Sequence, residues 1–325
     1  MSADFAAIDI DLLLAGAAPA VRPGPRLLAV GSGHRGSGIT TISWLLALIL
    51  AESGRRTVLL DSDLAAAGFY GRATLSASDQ RMRQFLQERG ADINLLPQPA
   101  GPRNLSYITG SPAICDHPQL SLAAKQKLLL HLRQLQADEL IIDCGQGASY
   151  RHLDLFLAAD IPIVLARIPN SSLLECYQFI RYGYLRKIQH KARHWPEHFA
   201  RISGLGDLAH PETLATLPAF AATLHDAQPH LRAVIEEGWG AFQPRLIINR
   251  VRPDLERRRV RALAEVVKVI MGITLTEWGE VPEDERLGKV QASGKFEEMR
   301  RSRAAVELVR ILREQASPAA SKKPS

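Results

Sequence analysis

The chain has 325 residues, 46% of them hydrophobic, 23% charged, and a formal net charge of +6. That length and apolar content allow a full buried core and exclude a disordered chain or a fibrous repeat. Three widely spaced cysteines, Cys115, Cys144 and Cys176, lack CxxC spacing, which argues against a disulfide framework or zinc site and points to a reducing cytoplasm.

Residues 1–25 form an N-terminal arm and linker, with a short apolar helical stretch from Phe5 to Leu14 followed by an Ala/Pro/Gly-rich run. The arm is acidic and lacks the basic flank of a signal peptide. Short apolar runs then predict strands at Leu27 to Val30, Thr57 to Leu60, Ile93 to Leu96, Leu140 to Ile142, Ile161 to Ala166, Arg245 to Ile248 and Ile273 to Trp278. Helical patterns lie between them at Ile42 to Glu52, Leu122 to Gln136, Leu173 to Arg186, Glu256 to Met271 and Phe296 to Gln315. Such alternation predicts an α/β fold, a doubly wound and mostly parallel sheet with helices on both faces, over 26–316.

Residues 187–243 interrupt the alternation and read as a helical insertion. His190, His194 and His198 recur there every four residues; a solvated helix face explains them better than a metal site, since no carboxylate or cysteine at ligand spacing accompanies them. The segment 317–325 is expected to be a disordered tail. The basic charge permits association with DNA or an anionic membrane, but the cluster from Arg252 to Arg261 mixes acids with bases on a helical pattern, as a wet helix face does.

The most informative stretch is Gly33, His34, Arg35, Gly36, Ser37, Gly38, Ile39, Thr40 and Thr41. It stands between a predicted strand and a predicted helix, where closely spaced glycines let backbone N–H groups face an anion and the helix start adds its dipole. Thr40 occupies the position whose hydroxyl would hold Mg²⁺. Asp61 and Asp63 end the second strand and Asp143 ends a later one, followed by Gly147, which can approach a terminal phosphate. Helix capping would explain one such acid, but three around one loop suggest metal coordination and positioning of an attacking water.

This order of motifs resembles the deviant Walker A ATPases that include MinD, ParA and FlhG, over about residues 26 to 315. The segment Ala166 to Leu173, with Pro169, resembles that family's proline-bearing segment after the fifth strand. Leu246 to Val251 is similar to its base-recognition strand, where Asn249 would face adenine, and Gly279 to Gly294, with Pro282, to its late segment beside the nucleotide. The resemblance implies ATP and Mg²⁺ as cofactors, Mg²⁺ on Thr40, Asp61 and Asp143, and Asp63 with Asp143 in catalysis. It also implies homodimerisation, a protein partner whose identity the residues do not give, and in some branches attachment to DNA or membrane.

The chain departs from the family pattern K-G-G-x-G-K-[ST]-[ST] at both lysines, which are His34 and Ile39. A unit charge pair about 4 Å apart contributes roughly 4 kcal/mol at an effective dielectric of about 20, so Ile39 should impair triphosphate binding and turnover. Two readings follow: a weak or inactive ATPase acting through protein contacts, or a working one whose charge comes from Arg35 or protonated His34.

Overall fold

In the computed structural model the described residues are 24–62, 80–88, 90–108, 122–168, 170–191, 202, 205, 207–208, 216–224, 229–252, 257–287, 290 and 296–316. Eight strands form one sheet: β1 (Arg26–Ser32), β2 (Thr57–Asp61), β3 (Gln98–Pro99), β4 (Leu105–Ile108), β5 (Glu139–Gln146), β6 (Ile161–Ala166), β7 (Arg245–Val251) and β8 (Thr276–Pro282). Their spatial order is β3-β4-β2-β5-β1-β6-β7-β8. Every pairing is parallel except the short edge pair β3–β4. The predicted doubly wound α/β architecture is the one observed.

The helices divide between the faces. One layer holds α1 (Ile39–Glu52), the 3₁₀ segment Phe296–Arg301 and the last helix, α8 (Arg303–Ala316). The opposite layer holds α2 (Leu122–Leu132), α3 (Tyr150–Leu157), α4 (Asn170–Lys191), α5 (Leu217–Ala222), α6 (Pro229–Ala241) and α7 (Arg257–Met271). Each face of the sheet has its own apolar cluster, because parallel strands covered on both sides carry near-continuous apolar runs. Helix α1 is buried almost all round, from Ile42 to Ala51, since it is sandwiched between the sheet and α8. The apolar stripe of α8, Ala305, Leu308, Val309 and Leu312, is spent on that packing. Among the described residues no helix is long and apolar enough to cross a membrane.

One strand prediction fails. Ile93 to Leu96 is not a strand: Ile93–Leu95 is a 3₁₀ turn, because the Asp92 carboxylate accepts the Asn94 N–H at 2.9 Å and offers the backbone an alternative to a ladder. The neighbouring strands are β3, which carries Pro99 at the sheet edge where proline is tolerated, and β4. Strand β6 matches its predicted run and β8 starts three residues later than expected, while β1, β2, β5 and β7 extend past their runs, so that Asp61 and Asp143 lie within β2 and β5. Helix α2 stops at Leu132 and α4 continues to Lys191. Asp63, Pro169, His194, His198, residues 1–23 of the arm and the tail lie outside the described residues, as does the side chain of His190.

The connection after β1 leads to β2 on one side of it, while the connection after β6 leads to β7 on the other. The carboxyl ends of β1 and β6 are therefore a topological switch point, where open α/β sheets form their ligand crevice. The glycine loop follows β1, and Arg167 follows β6.

Candidate functional site: a glycine loop with an arginine rim

Between β1 and α1 the loop is shaped by its glycines. Gly36 and Gly38 have φ of 74° and 90°, and Gly38 is the residue before the first turn of α1. A Cβ on Gly38 would stand 2.3 Å from the Asn249 Nδ2, so only glycine fits the tether that binds the loop to β7. At Gly33 a Cβ would meet the Glu175 carbonyl oxygen at 2.1 Å, which lets α4 lie directly against the loop.

Alternation along the strands sets the acids. Leu59 and Ile141 belong to the cluster on the α1 face, so Asp61 and Asp143, two residues further on, share that face. They are register partners on β2 and β5, and both are at least 96% buried. The Tyr107 hydroxyl donates to Asp61 Oδ2 at 3.1 Å, and the Gly145 N–H to Asp143 Oδ1 at 2.9 Å. Ser62 donates both its N–H and its hydroxyl to the Asp143 carbonyl, at 3.0 and 2.6 Å, which ties the two strand ends together. The Gly147 N–H donates to the Ser32 carbonyl at 2.9 Å, bringing the loop after β5 beside the glycine loop.

Mg²⁺ keeps several waters and takes one or two protein carboxylates plus phosphate oxygens, so two buried acids on the face of α1, with half-buried Thr40 in its first turn, are a compatible donor set. Among the described residues there is no cluster of three or more metal-ligating acids, histidines or cysteines.

The two substituted lysine positions differ in fate. Ile39 is 6% exposed and packs into the apolar cluster of the α1 face. The His34 ring places Nδ1 2.6 Å from Glu175 Oε2 of the same chain, so its side chain is held against α4. Arg35 is exposed.

Cations from elsewhere meet the loop. Arg167 and Arg250 each donate through Nη1 to the Gly36 carbonyl, at 3.1 and 3.3 Å. Arg250 has φ of 58°, a left-handed conformation costing a non-glycine residue about 1–2 kcal/mol. Its N–H is held at 2.9 Å by the Asn249 Oδ1. The other end of that amide, Nδ2, donates to the Ser37 carbonyl at 2.7 Å. Asn249, expected from the resemblance to face adenine, thus has both ends on the protein, where it orients Arg250 and braces the loop. Glu283, next to Pro282, accepts from Arg250 at 3.2 Å and from Arg252 at 2.6 Å. The hydrogen bond from Arg252, reinforced by Arg250, holds the Glu283 carboxyl below its ordinary pKa. Burial, with the nearby Arg250 and Arg252, lowers that of Arg167.

The expected site residues are therefore split. The loop, Asp61, Asp143 and Gly147 converge on the ends of β1, β2 and β5. Asn249 touches the loop from β7, while Pro282 stands behind it at the end of β8, beside a cavity of about 410 Å³ lined by Val251, Gly279, Glu280 and Arg310. Sequence reasoning missed Arg167, Arg250, Glu175 and Glu283. Arg167 stood immediately after one predicted strand and Arg250 two residues beyond another, which was the available signal.

No family model matches the sequence. Over 155 residues, 47% of the chain, it is 30% identical to an uncharacterized ATP-binding protein of Methanocaldococcus jannaschii; the match spans 57% of that relative's length. Among solved structures, the chain is similar to the MinD cell division protein of Aquifex aeolicus, with a TM-score of 0.51 and 13% identity over 92% of this chain and 98% of that one. MinD of Pyrococcus horikoshii, complexed with Mg-ADP, gives 0.51 and 17% over 93% and 99%. A putative plasmid partition protein of Borrelia burgdorferi bound to AMPPNP gives 0.52 and 15% over 88% and 98%. In architecture the chain has the fold of these MinD and partition proteins.

Proposed function

We propose that this chain is a regulatory protein of the MinD/ParA/FlhG kind that binds ATP with Mg²⁺ at the glycine loop, hydrolyses it weakly or not at all, and controls positioning or assembly in a cytoplasm through contacts with a protein partner. The observation that carries this reading is the combination at the end of β1: a loop of positive-φ glycines on the acid-bearing face of the sheet, with a buried isoleucine at the start of α1 where the family has its phosphate-gripping lysine. The Mg-ADP and AMPPNP held by the two similar structures, and the ATP-binding designation of the archaeal relative, support the nucleotide half.

The alternative is an ATP-driven dimerising switch that attaches to DNA or membrane. His34 speaks against its family form, because the side chain that would reach across a dimer is engaged by Glu175 within the same chain. The packed stripe of α8 speaks against membrane attachment by that helix.

The test is a thermal-shift titration of the intact chain with Mg-ATP, read beside phosphate release. A ligand at 100 times its dissociation constant stabilises by about 2.7 kcal/mol. Stabilisation with phosphate release close to the uncatalysed rate is expected. No shift at millimolar Mg-ATP overturns the nucleotide half, and sustained turnover overturns the weak-ATPase half.

A further inference from the structure

We propose that Arg167 and Arg250, entering from the ends of β6 and β7, supply the phosphate-binding charge that the loop itself lacks, so that the site takes the polyphosphate of a nucleotide on an arginine rim. This rests on the nucleotide-binding reading above and names the groups that would do the binding.

Three observations converge. Both guanidinium groups are already on the loop, sharing the Gly36 carbonyl as acceptor at 3.1 and 3.3 Å, on the crevice where the crossovers from β1 and β6 diverge. Arg167 and Arg250 stand close to Glu283, whose carboxylate pairs with Arg250 and with Arg252 and not with Arg167. Among the described residues Arg167 has no carboxylate partner, and its Nε is buried without a hydrogen-bond acceptor. The Ser37 hydroxyl in the loop is likewise buried and unpartnered. Burial of Arg167 first, and then the charge of neighbouring Arg250, lower its pKa, so the charged form is disfavoured there until an anion joins it. Guanidinium groups present planar donor forks suited to phosphate oxygens, and they stay charged when partly buried. The strained backbone of Arg250, fixed by Asn249, holds its side chain toward the loop rather than into solvent.

The experiment is calorimetric titration of the full chain with Mg-ATP, AMP and inorganic tripolyphosphate, comparing wild type with Arg167→Gln/Arg250→Gln and with Arg232→Gln, a control arginine paired with Glu236 on α6. Glutamine can still donate to the Gly36 carbonyl, so it removes charge more than it removes the brace. The double variant should bind Mg-ATP and tripolyphosphate about ten- to a hundredfold more weakly, the range of lost hydrogen bonds to charged groups, with AMP little changed and the control like wild type. Tripolyphosphate binding to wild type should also weaken as salt rises, and less steeply in the double variant. If the double variant binds both polyphosphates like wild type, the inference falls and the nucleotide-binding reading stands. If wild type binds neither, both fall. Should the double variant not fold, Arg250→Gln, whose side chain is 44% exposed, carries the same test.

Discussion

Ile39→Lys restores the family's residue and tests the site most directly, because it acts with opposite sign on the empty and the occupied protein. Ile39 is 6% exposed in the cluster beneath α1, and withdrawing such a side chain from apolar contact costs about 1.5–3 kcal/mol. Lysine can thread its stem through the same space only by carrying its ammonium out to the loop. Without ligand the variant should therefore unfold about 2–4 kcal/mol more easily. With Mg-ATP the ammonium gains phosphate partners; of the roughly 4 kcal/mol available at about 4 Å and an effective dielectric of about 20, retaining 1.4 kcal/mol gives tenfold tighter binding. Urea unfolding of both proteins, with and without Mg-ATP, reads the two effects together, and calorimetry reads the affinity. A variant as stable as wild type without ligand would refute the buried placement of Ile39. One with no gain in affinity would refute the loop as a phosphate cradle.

Gly38→Ala forces a side chain into φ of 90° and against Asn249, so a loss of about 2–3 kcal/mol is expected from strain plus the Asn249–Ser37 hydrogen bond; an unchanged melting temperature would contradict the loop geometry. Glu283→Gln releases Arg250 and Arg252 and should raise tripolyphosphate affinity about two- to fivefold by calorimetry, in proportion to what partly exposed pairs contribute. Because the folded-state pKa of Glu283 is depressed, its stabilisation is present above an unfolded value of about 4.3 and fades as pH falls below it. Urea midpoints of Glu283→Gln should therefore lack that acid-side component. Cys144 and Cys176 are fully buried, and burial pushes the Cys176 thiol up to about 12. At pH 8 iodoacetamide should leave both unmodified in the native protein and label both in urea, as peptide mass mapping will show.

Much of this molecule was legible in one dimension. Strands buried on both faces must be near-continuous apolar runs, so six of the eight strands announced themselves, and the alternation with helical periods gave the parallel, doubly wound sheet. The sequence placed Asp61 and Asp143 only at the ends of their strands; the register of β2 with β5, with Leu59 and Ile141 in the cluster of the α1 face, puts the two acids on one face. The short edge strands escaped because the local hydrogen bond of Asp92 outweighed an apolar run at Ile93, and because β4 mixes Ser106 with its apolar residues.

What tertiary structure decided was the source and direction of charge. Sequence neighbours of the missing lysine, His34 and Arg35, were the natural substitutes, yet one is held by Glu175 and the other is exposed. The cations that reach the loop are 131 and 214 residues from the Gly36 carbonyl they share. Strand order brings β6 beside β1 and β7 beside β6, and electrostatics depends on distance through space, to which separation along the chain gives no guide.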